Sequence, residues 1–273
     1  MLRLTFRDKN PVVCYQKQCR DRFLHEGSPF AETPNLKTAQ VRPVSRRLAE
    51  QIILKYEWLG TLPPSTRYYY GIFFHLYCAG VACIGLGNGG ANLNAHQLFG
   101  VDRGSLAYLA RGACVHWAPP GTNSKLVSWS CRFLRQSTTA KLMIAYADTD
   151  AGEIGTIYQA CNWVYIGVGA STEQWVAPTG RVYDQKIIHD LTKRQGMTRD
   201  YWTKDLLQKG WRRQQSNPKH RYVIVLDKTD MFLYKRVERL RQPYPKRAVS
   251  IAVDAPAVQA GEDGAAPITA LIH

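Results

Sequence analysis

Apolar residues recur along this chain with two periods, and together they outline alternating helices and strands. Between Val44 and Tyr56, the residues Leu48, Ile52, Ile53 and Tyr56 line one helical face. Ser45 is placed to cap that helix and Gly60 to end the segment. Tyr68–Tyr77 and Val81–Leu86 are β-rich runs parted by Cys78-Ala79-Gly80, which predicts a hairpin turning there. The Gly- and Asn-rich stretch Gly85–Gly100 predicts a long loop, and Tyr108–Trp117 a further strand. Pro119-Pro120-Gly121-Thr122-Asn123-Ser124 then opens a helix running to about Arg135, with Leu126, Trp129, Ser130 and Phe133 on one face.

The alternation continues with a strand at Leu142–Ala147, a helix over 154–162 and a strand at Val164–Val168. Basic helices near 186–195 and 199–209, a strand at Arg221–Leu226 and a helix near 229–241 follow. Residues 1–43, with Pro11, Pro29 and Pro34 among charges, predict an irregular segment, and the aromatic-free tail 248–273 predicts disorder. The order predicts an α/β fold: a mixed sheet flanked by helices over 44–184, with a basic C-terminal extension, 185–247, packed on that core.

With 273 residues, 45% of them apolar, the chain can bury a sizeable core, and no apolar run approaches bilayer length. The first residues lack the apolar core of a secretory signal, so a soluble, cytoplasmic protein without a membrane partner is expected. The odd count of seven cysteines argues for free thiols rather than a disulfide framework. Cys14/Cys19 and Cys78/Cys83, each spaced Cys-x4-Cys, suggest a metal site only weakly, and a turn at Ala79-Gly80 would make the second pair cross-strand neighbours instead. His75, His96, His116 and His189 have no partner at ligand spacing, so no metal residue is assigned.

Charge refines this outline. The net +15 divides into +6 for residues 1–67, +1 for 68–184, +11 for 185–247 and −3 for the tail. A near-neutral centre between basic flanks fits a polyanionic partner, and aromatics interleaved with the basic residues favour nucleic acid. The candidate contacts are Arg212 and Arg213, the run Lys219-His220-Arg221-Tyr222, and Lys246-Arg247, with Trp58 as a further base-stacking ring.

Three segments carry candidate chemistry. Pro120-Gly121-Thr122-Asn123-Ser124-Lys125 turns from a strand into a helix, where free amides and the helix dipole suit an anionic cofactor group; Ser124 is alternatively only the helix N-cap. In Tyr146–Trp163, Asp148 stands where a buried strand reaches the surface, the place of ligand crevices in open α/β sheets. Asp148 is suited to orient or deprotonate an amine, and Tyr158 to protonate a leaving group or hold a base; a turn Asp and a core Tyr are the plainer alternatives. Glu57, ending an apolar helix beside Trp58, sits against an unfavourable helix dipole and invites a local reason for its presence.

Glu57-Trp58-Leu59-Gly60, Arg111–Ala118, Tyr146-Ala147-Asp148 with Gly155-Thr156-Ile157-Tyr158-Gln159-Ala160-Cys161-Asn162-Trp163, and Lys219–Tyr222 together resemble the phage Mom proteins over residues 45–247. The resemblance implies a fold like the GCN5-related N-acetyltransferases. It implies addition of a carbamoylmethyl group to adenine N6 of phage DNA, which shields the DNA from restriction in the host cytoplasm. By position it points to Asp148, Tyr158 and Ser124 as catalytic, with Glu57 in the place of the family's first polar residue. Glu57-Trp58 departs there from the His–aromatic pair of better-known members. The Gln/Arg-x-x-Gly-x-Gly/Ala loop of acetyl-CoA users is replaced by Pro120–Ser124. An acyl-CoA or an aminoacyl-tRNA therefore remain alternative donors, and an iron is conceivable. The rival readings are an N-acetyltransferase acting on a protein or small molecule, and a non-catalytic DNA-binding protein.

Overall fold

A computed structural model describes residues 11–87 and 95–247. The central sheet has seven strands: β1 (Gln40–Pro43), β2 (Thr66–Phe74), β3 (Tyr77–Leu86), β4 (Leu106–Cys114), β5 (Leu142–Ala147), β6 (Val164–Val168) and β10 (His220–Val225). They lie in the order β1-β2-β3-β4-β5-β10-β6. All neighbours are antiparallel except β4 and β5. Helices α2 (Arg46–Tyr56) and α4 (Thr122–Ser137) pack on it, as the mixed-sheet reading requires. Their buried residues, Ala49, Ile53 and Tyr56 on α2 and Leu126, Val127, Ser130, Cys131 and Leu134 on α4, fall at helical spacing, so one face of each meets the sheet.

A second, three-stranded sheet joins β7 (Glu173–Val176), β8 (Val182–Asp184) and β9 (Arg212–Gln215) in the order β8-β7-β9. With helices α6 (Gln185–Arg194) and α7 (Arg199–Gln208) it holds its own aromatic core of Trp175, Tyr183, Trp202 and Trp211. Helix α8 (Met231–Glu238) closes the described chain against β10. No described helix is long and apolar enough to cross a membrane.

Several expectations need correction. The C-terminal segment is not simply laid on a finished core: β10 is inserted between β5 and β6, with Tyr222 and Val223 wholly buried. Within 11–43, predicted irregular, the chain forms α1 (Tyr15–Asp21) and the edge strand β1. The hairpin turns at His75-Leu76, where His75 adopts φ 51°, rather than at Cys78-Ala79-Gly80. Gly80 is instead inside β3, where an added Cβ would stand 2.5 Å from Cys114 Sγ and 2.8 Å from Ala113 O. Cys78 and Cys83 therefore share one strand instead of facing each other. Within the predicted loop 85–100, residues Ala95–Phe99 form the short helix α3, and 88–94 lie outside the described residues, as does the predicted disordered tail.

The feature that positions the site is a parting of strands. β4 and β5 pair only at Leu106–Tyr108 against Leu142–Ile144. On the other side of β4 the register with β3 shifts by one residue between Cys83↔Arg111 and Ile84↔Leu109, leaving Ala110 as a β-bulge. A bulge bends its strand and ends regular pairing. Beyond it β4 diverges from β5, and a cleft opens between them.

Candidate functional site

The cleft has a volume of about 1390 Å³ and is lined on one side by Leu109–Gly112 of β4 and on the other by Tyr146, Ala147 and Asp148 at the end of β5. Asn123 and Leu126 of α4 form part of its wall, and Trp58, Glu153, Tyr158 and Lys219 also line it.

The turn after β5 explains how so many charges gather there. Asp148 caps a 3-10 turn, Thr149–Ala151, by accepting the Asp150 amide. Gly152 (φ 70°) and Gly155 (φ 69°) then reverse the chain into the short helix α5 (Thr156–Ala160). At Gly155 a Cβ would lie 2.3 Å from the Tyr222 ring, so both the left-handed backbone and the close approach demand glycine. Tyr222 donates its hydroxyl to Ile154 O and receives Gln159 Nε2, which locks the loop onto β10.

Between the two glycines stands Glu153, which sequence reasoning passed over. Its Oε2 accepts the Asp148 amide at 3.1 Å. Burial raises its carboxyl to about 7, helped by the nearby Asp148 and Glu57 and opposed by Lys219. The signal that could have found it is its place between glycines five residues past the strand-end Asp148.

Asp148 is itself buried, and Lys219 Nζ lies 2.6 Å from its Oδ2 and 3.4 Å from Asp184 Oδ2. Burial pushes the Asp148 carboxyl up while Lys219 pulls it back. Lys219, despite its own burial, is held firmly as the ammonium by the two carboxylates. Asp150 Oδ2 accepts Gln174 Nε2 from β7 at 2.7 Å and the Asn217 amide at 3.1 Å. The acidic turn thus both lines the cleft and ties the small sheet to the large one.

Tyr158 reaches the cleft with its ring tilted against Trp163 and Tyr222, each 5.2 Å away. Burial, with Glu153 adding to it, drives its phenol well above the usual range. It is therefore a neutral O–H at physiological pH. Glu57 caps the end of α2, is buried, accepts the Gly60 amide at 2.9 Å and lies 3.7 Å from Arg111 Nε. Arg111 also donates to Thr61 O and Ala110 O, so it clamps the bulge. Glu57 is thus placed in the cleft by a structural anchor.

At the anion-site candidate, α4 begins one turn earlier than predicted. Its N-cap is Gly121 in the left-handed region (φ 83°), which puts Ser124 inside the first turn and rules out Ser124 as the cap. First-turn amides have no helical acceptor, so those of Asn123 and Ser124 remain available to a ligand. A side pocket of about 190 Å³ adjoins them, lined also by Pro120, Thr122, Arg20 and Thr156. Lys125 turns away: its ammonium donates to Leu36 O at 2.8 Å and Lys37 O at 3.3 Å, so it does not supply the positive charge expected of it. Thr122 Oγ1 donates to Pro119 O and Asn123 Oδ1 accepts from Cys114 Sγ. Two first-turn amides therefore face this side pocket, beside Arg20, whose guanidinium is paired with Asp21 at 2.9 Å. Among the described residues no group of three or more His, Cys, Asp or Glu is arranged to hold a metal ion.

The proposed nucleic-acid contacts separate. Arg212, Arg213, Lys246 and Arg247 are exposed, and Arg247 lines the cleft with Arg221. Trp58 and Tyr222 are buried, 6% and 0% exposed, so neither is an outer stacking surface; Trp58 still contributes to the cleft wall. Lys219 is turned inwards to its carboxylates, and His220 Nδ1 is hydrogen-bonded with the Tyr165 hydroxyl. For Lys219, His220 and Tyr222 the cause is shared: the strand predicted from Arg221 begins at His220 and lies inside the sheet, between β5 and β6.

The sequence model of the Mom protein family matches residues 38–246. No curated protein matches. Among solved structures, similarity is found to FeeM, an N-acyl amino acid synthase from uncultured soil microbes, at 13% identity over 70% of this chain and 92% of that one, with a TM-score of 0.40. Spermidine N-acetyltransferase from Vibrio cholerae, in complex with CoA and spermine, is similar at 8% identity over 70% and 98%, with a TM-score of 0.41. An N-acetyltransferase from Staphylococcus aureus Mu50 gives 7% identity over 69% and 97%, with a TM-score of 0.36.

Proposed function

The chain belongs to the Mom protein family, and from that premise and the geometry of the cleft we propose that it is a transferase that modifies adenine in DNA at the exocyclic N6. The group added is carbamoylmethyl, and the modified DNA would be protected from restriction. The observation that carries the chemistry is Glu153: a carboxyl raised to about 7 beside Asp148, in a cleft of about 1390 Å³. A group with that value is divided between acid and base at neutral pH, as proton transfer requires.

The target base leaves the duplex, because its N6 is inaccessible to this chemistry inside the stack. Trp58 and Tyr158 flank it. Glu153 accepts a proton from N6 as nitrogen bonds to the transferred carbon. The bond between that carbon and the donor's leaving group breaks, and the Tyr158 hydroxyl protonates the departing atom. Glu153 then returns its proton to Tyr158, so the net transfer is from N6 to the leaving group. Asp148, kept in place by Lys219, orients both Glu153 and the amine. The amides of Asn123 and Ser124 with Arg20 would hold the anionic part of a donor whose leaving group sits on the methylene carbon of the carbamoylmethyl unit. An acyl-CoA or an aminoacyl-tRNA, activated at its carbonyl carbon, would by the same displacement give an N6-acyl adduct instead.

Mass spectrometry of nucleosides from DNA of cells expressing the chain tests the reading. A carbamoylmethyl-adenine nucleoside is expected with the parent and its loss with folded Glu153→Gln and Tyr158→Phe variants. An unmodified adenine pool with the parent, in a host that modifies DNA with an established family member, overturns it.

A further inference from the structure

Helix α8 has a face that neither the core nor the cleft uses. Leu233 and Val237 point inward, one turn apart, and bury against β10. On the opposite side, within about a third of the helix circumference by helical spacing, stand Met231, Phe232, Lys235 and Arg239. Met231 is 54% and Phe232 76% exposed, and Lys235 and Arg239 are exposed as well. The acids around the helix are already neutralised. Asp230 caps it and pairs with Lys141 at 3.2 Å, and Glu238 pairs with Arg241 at 2.7 Å. Among the described residues neither Lys235 nor Arg239 is in an ion pair. The face is therefore a pair of uncompensated cations beside two bare apolar side chains.

Its position ties it to the cleft. On its flank, Arg236 Nε donates to Leu98 O at 3.0 Å, and Leu98 and Gln97 of α3 line the cleft. Arg236 thus joins α8 to the helix whose Gln97 and Leu98 form part of the cleft wall. A surface of this composition matches a duplex in both respects: phosphates meet the cations, and exposed Phe and Met side chains are the wedges that proteins place against base steps to unstack them.

We propose that this face of α8 docks double-stranded DNA, Lys235 and Arg239 holding the backbone and Phe232, with Met231, pressing on a base step. The inference rests on DNA being the substrate, and it names the surface that presents it. Wedging and base extrusion are complementary, since a base leaves a weakened stack at lower cost.

The test is fluorescence anisotropy with a labelled duplex and the full chain over a salt series, using Lys235→Gln/Arg239→Gln and Phe232→Ser, all changes at exposed positions. The double variant should lower the slope of log K against log salt by about 1.8, two phosphate contacts at ~0.9 each. Phe232→Ser should weaken binding roughly tenfold with the slope unchanged, in line with the loss of one stacking contact, and should reduce unstacking reported by a 2-aminopurine in the duplex. Parental affinity and slope in both variants overturn the proposal. So does a selective loss of tRNA binding or of self-association while duplex binding stays parental. Nucleoside analysis of the parent separates the two readings: DNA docking lost in the variants with no modified base in the parent retains this surface and removes the proposed chemistry, whereas a modified base with variants that dock normally does the reverse.

Discussion

Glu153 acquires its chemistry from its surroundings. Burial disfavours its charged form, Asp148 and Glu57 add like charge, and Lys219 and the Asp148 amide pull the other way; the first two prevail and the value stands near 7. Because this lies above the ordinary 4.5, the fold favours the neutral acid. The stability it contributes is complete below about pH 4.5 and is lost as pH rises through about 7. Melting temperature should therefore fall more steeply over that window in the parent than in Glu153→Gln, as scanning calorimetry would show. Activity should behave oppositely, since the base must be ionised: the rate of adenine modification should rise with pH through about 7. In Glu153→Gln it should drop about 10²–10⁴-fold and lose that limb. Gly155 supports the same loop through its backbone. Gly155→Ala must accept φ 69° and a Cβ against the Tyr222 ring, so a loss of about 1–3 kcal/mol is expected from overpacking alone. Urea denaturation would measure it, and an unchanged midpoint would remove the loop from the list of constrained elements.

Among the elements, the two sheets are joined by an apolar cluster that includes Trp58, Leu59, Ala151, Val176, Val182 and Ile187, and by a few polar groups that arrive from distant parts of the chain. Lys219 at the start of β10 meets Asp148 after β5 and Asp184 at the end of β8, and Gln174 of β7 reaches Asp150. Lys219→Met keeps the bulk but takes the shared cation away from two buried carboxylates. A cost of about 3–5 kcal/mol is expected by that mechanism. Hydrogen exchange should then accelerate in β7, β8 and β9 before the seven-stranded sheet; uniform protection in both sheets would show that the ion pair is not the join. This is also where the sequence stopped being legible. The strand Leu142–Ala147 and the helix on α2 could be read because their apolar spacing is strong and local. β9, Arg212-Arg213-Gln214-Gln215, has no apolar alternation at all, and β8 is only three residues long, so neither carries a periodic signal. Lys219 looked like a surface cation because its carboxylates are 35 and 71 positions away in sequence. Asp148 and Tyr158 could be placed in the cleft from strand-end and helix spacing. The place of Glu153 between two glycines was legible, but its raised value was not, since that depends on burial among groups from distant parts of the chain.

At the scale of the whole molecule, affinity and chemistry occupy different parts of the charge distribution. The cleft residues Asp148, Glu153 and Tyr158 belong to the segment 68–184, whose net charge is only +1, while 185–247 carries +11. Long-range attraction for a polyanion comes from the basic segment, through Arg212, Arg213, Lys235, Arg239, Lys246 and Arg247, all exposed. On the proposed reading that segment draws the duplex, while Asp148 in the cleft is buried and paired with Lys219. Binding and modification should therefore separate under mutation. Glu153→Gln should bind duplex DNA with the parental affinity and the parental salt slope, because it removes no phosphate contact, yet yield no modified adenine. A fourfold rise in salt should weaken parent and variant equally, by about 10³–10⁵ if six to ten phosphates are engaged. Anisotropy titrations at matched salt, paired with nucleoside mass spectrometry on the same preparations, measure both quantities. If the variant loses affinity along with modification, and does so with a shallower slope, Glu153 belongs to the docking surface and the assignment of proton transfer to it falls.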